Sequence, residues 1–464
     1  CGPCSFGDGC RTDADCGAGR CVDGRCVTSG KGGGISLNPI APIPVRQKPT
    51  SIVIADFDRD GARDIAVANS IDFDYRTSVL PGRGNGTFRS LRDSPADLGP
   101  TAYLAVGDFD EDHDLDVEIA ALESLALLTQ TGRSDATFAN GPATSIEHPS
   151  ALTAADLDGD GHLDLAATNF RSDDPNGVAG VTAFRGLGRG DFLSAGYTKL
   201  CAGPSAVVAA DFDGDGALDL AVACRGFGVV PPPPLHDGGT VTADLGAQFG
   251  ADMGMAVFFD LGVSRDLISG MSDAGTGIVD ASMPFTDGGP TGDLGISTDG
   301  GTPVGADLYV LPGTGSLGFR SPIPYTIGGG PCALAVADLD GDNRADLAVS
   351  ACDRSRVTVL TRAKGGPLTV TGAWDVGPSP SGIVAVDLDG DGRPDLATAD
   401  AHGDSVSVLK NRGDATFDPA LRIPSRGRRP VAIAAGDLDR DGKPDLAVAD
   451  YDSNDVGVLL NTSK

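Results

Sequence analysis

Carboxylates dominate the chemistry this sequence could do, and they are regularly spaced. A nine-residue pattern, DxDxDGxxD followed by a short apolar run, recurs seven times. Its acids are Asp56, Asp58, Asp60 and Asp64 in the first copy, and Asp108, Asp110, Asp112 and Asp116 in the second. The third has Asp156, Asp158, Asp160 and Asp164, and the fourth Asp211, Asp213, Asp215 and Asp219. Asp338, Asp340, Asp342 and Asp346 form the fifth, and Asp387, Asp389, Asp391 and Asp395 the sixth. Asp437, Asp439, Asp441 and Asp445 complete the set. Four carboxylates at positions 1, 3, 5 and 9 of one tight loop repel each other unless a cation sits between them. A donor set of oxygens, without Cys or His, selects a hard cation, and flexible carboxylate geometry favours Ca²⁺ over Mg²⁺. Position 7 would add a backbone carbonyl, and Gly at position 6 supplies the positive φ of a sharp turn.

Two copies depart from the pattern. Asn343 replaces the glycine of the fifth; Asn tolerates the left-handed region, so that site is expected to survive. His113 replaces it in the second and tolerates the turn less well, which makes this the weakest expected site. The loops are not EF-hands, because position 12 of the first is Val67 rather than Glu and the flanks alternate as strands rather than helices.

The elements that hold these loops also repeat. Successive motifs are separated by 52, 48, 55, 127, 49 and 50 residues, so one of seven units carries about 77 extra residues. A proline stands seven or eight residues before each motif, at Pro49, Pro100, Pro149, Pro204, Pro331, Pro380 and Pro430. Short apolar stretches on both sides of each acidic loop have strand length, and proline at a strand's first residue costs no ladder bond. Each loop therefore closes a β-hairpin. A third strand such as Ser405 to Leu409 follows, then a Gly-rich turn ending in Phe, as at Phe88, Phe192 and Phe319. About four strands in roughly 50 residues is the size of a propeller blade.

These residues resemble the FG-GAP (VCBS-type) repeats of integrin α-subunit propellers and their bacterial relatives. The resemblance implies an all-β fold, a seven-bladed β-propeller over residues 36–464. The last repeat ends on its third strand, Val456 to Leu460, so Ser36 to Val45 is expected to supply the missing fourth strand and close the ring. Closure would remove a sheet edge that invites aggregation.

Composition narrows the function. Sixty-five acids against 35 Lys and Arg give a formal charge of −30, which argues against nucleic-acid binding, since phosphate contacts need a basic footprint. The motifs account for 28 of those acids, and seven bound Ca²⁺ would bring the charge to about −16. No apolar run reaches the roughly 18 residues of a membrane span. Six cysteines lie in the first 26 residues, in a stretch too poor in apolar residues to fold unaided. Residues 1–28 are expected to form a disulfide-rich module, joined through a Gly-rich hinge at 29–35. Cys1 followed by Gly2 resembles the start of a mature bacterial lipoprotein, which would place a lipid on Cys1. Cys1-Gly2-Pro3-Cys4 matches a thioredoxin-type tetrapeptide but lacks the preceding strand and following helix that such redox chemistry needs.

The extra residues, 225–305, fall between the second and third strands of the fourth blade and read as a low-complexity Asp/Gly/Pro-rich insertion. Cys332 and Cys352 are symmetric about their hairpin and suit a direct bridge, and Cys201 with Cys224 would staple the base of the insertion. Disulfides indicate an oxidising compartment, outside the cell or at its surface. Two RGD triplets, at Arg189 and Arg412, fall on the repeat's own Gly-rich turn and read as coincidence.

A propeller by itself fixes no activity. The leading expectation is an extracellular or surface-anchored Ca²⁺-binding module for adhesion to protein or glycan, with the calcium structural. A structural subunit of a surface assembly or filament is the first alternative. A polysaccharide-active enzyme is the second, since some relatives of this repeat occur in such enzymes. Against it, His113, His148, His162, His236 and His402 are scattered, no nucleophile–base pair is visible, and Trp374 is the single Trp.

Overall fold

The computed structural model describes residues 20–22, 25–27, 34–70, 75–96, 101–121, 125–169, 179–201, 203–225, 306–362 and 366–463. The expected cysteine module and hinge lie outside these residues, apart from a short antiparallel pair, Arg20–Val22 with Arg25–Val27, and residues 34–35. The insertion, from residue 226 to 305, lies outside them as well.

Seven antiparallel sheets stand in a ring, each meandering outward from an inner strand. The inner strands are Pro49–Ala55, Thr101–Gly107, Pro149–Ala155, Pro204–Ala210, Pro331–Ala337, Pro380–Val386 and Pro430–Gly436. Each touches the next, and the seventh touches the first. The second strands begin on position 9 of the acidic motif, from Asp64–Asn69 to Asp445–Asp450. Position 9 pairs with the last residue of the inner strand, as in Ala55 with Asp64 and Gly436 with Asp445. The intervening eight residues are thereby pinched into a loop.

Proline opens six of the inner strands, and in each the register slips by one residue directly after it. That bulge strengthens the local twist where the strands crowd toward the axis.

The ring closes as the repeat count implied. Leu37–Pro39 pairs with the last strand, Asp455–Asn461, placing Leu37 opposite Asn461 and Pro39 opposite Leu459. Ile43–Pro44 extends the pairing along the same strand. The seventh blade is thus built from both ends of the propeller sequence.

Stability resides between blades rather than within them. The buried side chains fall into seven apolar layers, one at each junction of neighbouring blades. The closing junction packs Ile52, Ile65 and Val67 of the first blade against Val431, Leu438 and Val456 of the seventh. Alternation on the second strands explains this. Ile65 and Val67 face the seventh blade while Ala66 and Ala68 face the second, so both faces of the strand are buried.

Candidate metal centre

Each acidic loop is held by the same set of hydrogen bonds. Position 9 lies wholly inside the protein. One of its oxygens accepts the position-2 N–H at 2.7–3.0 Å in all seven loops. The other accepts an N–H from the end of the third strand or the turn after it, such as Gly82 or Asn461, at 2.7–3.3 Å. Position 1 accepts the position-6 N–H at 2.8–3.0 Å. Position 3 accepts from position 5, and position 5 from position 7, at 2.7–3.3 Å.

This scaffold brings three of the four motif acids together. In the first five loops positions 1, 3 and 9 each offer an oxygen within 4.8 Å of the other two, from Asp56, Asp58 and Asp64 to Asp338, Asp340 and Asp346. Two further acid groups meet the same criterion. Position 5 is not part of the five named triads; its carboxylate caps position 7 instead. Such clusters of buried carboxylates can hold a metal ion. Burial pushes Asp64, Asp116, Asp346 and Asp445 up to about 6 and Asp395 up to about 7, against the pull of their backbone N–H donors.

The residues fit a cation by a second criterion. Asp56 Oδ1 and Asp108 Oδ1 are buried with no hydrogen-bond partner. In the third to sixth loops the equivalent oxygen accepts the N–H of a glycine at position 4. Two buried carboxylate oxygens without a donor are what an oxygen-ligated cation would satisfy.

Position 6 has positive φ in every loop, including His113 at 75° and Asn343 at 62°. So does position 4, which the motif does not flag. It is Gly in four loops and Arg59, Glu111 or Arg440 in the others. Those three long side chains all reach the next loop in the ring. Arg59 pairs with Asp114 at 2.9 Å, Glu111 contacts His162, and Arg440 donates to the Asp60 and Gly61 carbonyls at 3.0 and 3.2 Å. The strained backbone is thus retained where the side chain ties one loop to its neighbour.

Position 2 was also missed as a working position. Phe57, Phe109, Leu157, Phe212, Leu339, Leu388 and Leu438 are at most 4% exposed. Phe57 and Phe109 stack edge-on against the turn phenylalanines of the next blade, Phe138 and Phe192, at 5.5 and 5.6 Å. The Phe109 and Leu438 carbonyls accept the N–H groups of Gly190 and Gly86 from that turn. Gly190 is the centre of the first RGD triplet, so its backbone is spent inside the propeller. The signal was present in the sequence as an invariable Phe or Leu between two aspartates.

The opposite face carries the disulfides. Cys332 and Cys352 are bridged across one hairpin, with Cα atoms 5.9 Å apart. Cys201 and Cys224 are bridged at 6.1 Å. Cys201 ends the outer strand of the third blade, Phe192–Cys201, so this staple also crosses between blades. A cavity of about 230 Å³ opens along the axis near this end. All seven inner strands line it, contributing Ser51, Tyr103, Ser150, Ser205 and Ser381, and Arg225 stands beside them.

The family profile of FG-GAP-like repeats matches residues 56–117, 156–222, 293–349 and 387–448, just over half of the chain. The chain belongs to the FG-GAP-like repeat family. Among curated proteins no sequence matches it. Solved structures agree on the architecture alone. A Bacteroides uniformis protein provisionally named a 6-phosphogluconolactonase is 14% identical, with a TM-score of 0.51 over 84% of this chain and 90% of its own. BBS1N, crystallised with ARL6DN, is 10% identical, with a TM-score of 0.53 over 92% of this chain and 98% of its own. Among the described residues no helix is long and apolar enough to cross a membrane.

Proposed function

We propose that this FG-GAP propeller is a calcium-stabilised binding module that works outside the cell or at its surface. The observation that carries the reading is the repeated triad of buried or half-buried carboxylates, two of them with an orphaned buried oxygen. In this reading positions 1, 3 and 9 of each loop ligate Ca²⁺, with position 5 and the position-7 carbonyl completing the shell. The ion neutralises the triad and locks the hairpin. Its work is structural, because the loops cap the junctions where the core lies. The two disulfides and the abundance of hard oxygen ligands both suit a calcium-rich, oxidising compartment.

Recognition is assigned to the opposite face, where the axial cavity opens. BBS1N, a propeller of the same shape, was crystallised with a protein partner, which supports a protein ligand over a polysaccharide one. We read the chain as non-enzymatic; turnover of a lactone or a polysaccharide would overturn that. A lipid on Cys1 would fasten the module to a membrane and is tested by mass spectrometry of the native N-terminus.

Extracellular calcium sites bind at about 10⁻⁴–10⁻³ M, so about 1 mM free Ca²⁺ contributes roughly 0.4–1.4 kcal/mol per site. Calorimetric melts in EDTA and in millimolar CaCl₂ test the reading. The expected result is a melting temperature many degrees lower in EDTA, and equal melts would contradict it.

A further inference from the structure

The seven loops share one backbone scaffold but differ in what already neutralises them. In the first, Arg89 spans Asp58 and Asp60 at 2.8 and 2.5 Å. In the third, Arg185 pairs with Asp158. Arg320 spans Asp213 and Asp215 in the fourth, at 3.3 and 3.0 Å. Arg344 pairs with Asp342 in the fifth at 2.8 Å. The sixth carries two cations, Lys410 on Asp389 and Arg393 on Asp391. In the seventh, Lys443 pairs with Asp441 at 3.3 Å.

The second loop has none. Among the described residues no Lys or Arg reaches Asp108, Asp110, Asp112 or Asp116; the nearest base, His113, lies 3.6 Å from Asp108 and is 89% exposed. The same nine residues hold six acids, because Glu111 and Asp114 join the four motif aspartates. Arg59 and His162 from neighbouring loops contact only those two extra acids. Asp108 Oδ1 is one of the two orphaned ligand oxygens. Glu118, two residues beyond Asp116 on the same face of its strand, is fully buried with both oxygens unpartnered. Its cross-strand neighbour Thr129 donates its hydroxyl to Gly190 instead, at 2.8 Å. The other six blades have Ala at the Glu118 position.

A side-chain cation already on a ligand carboxylate must be displaced, or tolerated at short range, when a metal enters. We propose that the seven loops are graded calcium sites, in which built-in Lys and Arg weaken six and the second loop, lacking any, fills first and binds most tightly. This rests on the calcium reading of the loops and deepens it. It also reverses the order suggested by His113, whose backbone takes the required turn while its ring stays in solvent. The sixth loop, with two internal cations, stands at the weak end.

Calcium titration of the chelated full chain by calorimetry, at fixed ionic strength, tests the grading. The expected isotherm has one tight site followed by weaker ones, and Asp110→Asn removes the tight phase alone. Because that variant could lose its fold, a gain-of-affinity variant is decisive: K410M with R393M converts the sixth loop into a second tight site, tightened by about fivefold or more, since exposed ion pairs are worth up to a factor of about five each. Equal affinities throughout, or a K410M/R393M isotherm identical to the parent, would overturn the grading while leaving the calcium reading intact. No heat and no melting shift with calcium would overturn both.

Discussion

Asp400 and Asp450 occupy the same place in neighbouring blades, the last residue of the second strand, and both are fully buried. Asp400 accepts hydroxyl donation from Thr398, Ser405 and Ser407 at 2.6–2.9 Å. Asp450 instead faces Asp455 across the strand pair, and both its oxygens lack a partner. The Gly427 backbone packs so close that a Cβ there would sit 2.2 Å from Asp450 Oδ2. Burial, with the charge of Asp455 second, pushes Asp450 up to about 8, and Asp455 is raised with it. A folded pKa above the unfolded one stabilises at low pH, and that contribution is lost as pH rises through about 8. In EDTA, the chain is therefore expected to melt lower at pH 9 than at pH 6. Asp455→Ser, which copies the Ser405 arrangement, should recover about 1–3 kcal/mol at pH 9, the usual cost of an unsatisfied buried polar group. Melts of both chains at the two pH values check this, and an unchanged difference between them would refute the assignment. None of it was legible in the sequence: Asp450 reads as one more acid in an acidic chain, and its burial follows only from the packing of two blades.

At the scale of the element, the hairpin and its loop were legible almost completely. Proline, apolar run, acid motif and second apolar run each carry a local reason, and the strands begin and end where those reasons place them. What escaped was everything running between blades. The position-4 ties and the position-2 anchors depend on which loop stands beside which, a relation that no window of 50 residues contains. The disulfides lie between these cases. Symmetry about residue 342 pointed to Cys332–Cys352, whereas the crossing of Cys201–Cys224 from one blade to the next needed the sheets themselves. The first closes a loop with a sequence separation of 20, so C332A/C352A is expected to cost about 3 kcal/mol. Chemical denaturation with and without the bridge measures it, and a loss below 1 kcal/mol would show that the strand pairing alone fixes this hairpin.

For the whole molecule, the count of seven came from repeats, and the closure came from noticing that the last repeat is one strand short. Three residues, Leu37–Pro39, with Ile43–Pro44 beyond them, protect the edge of Asp455–Asn461. Ile40, Ile43 and Val45 also pack on the junction of the seventh and first blades. Deleting residues 34–45 is expected to lower the melting temperature and to drive self-association through the exposed strand. Light scattering of the deletion at increasing concentration reports the second effect, and a stable monomer would contradict it.

The same clasp sets an order of events during biosynthesis. A segment made near the beginning waits for a partner more than 400 residues later, Leu37 for Asn461, while every other blade is completed from its own stretch of chain. Six blades can therefore assemble as the polypeptide emerges, but the circle stays open until its final strand is delivered. A chain stalled or cleaved short of Asp455 would be left as an open arc with a sticky end, which quality control can tell from the finished ring.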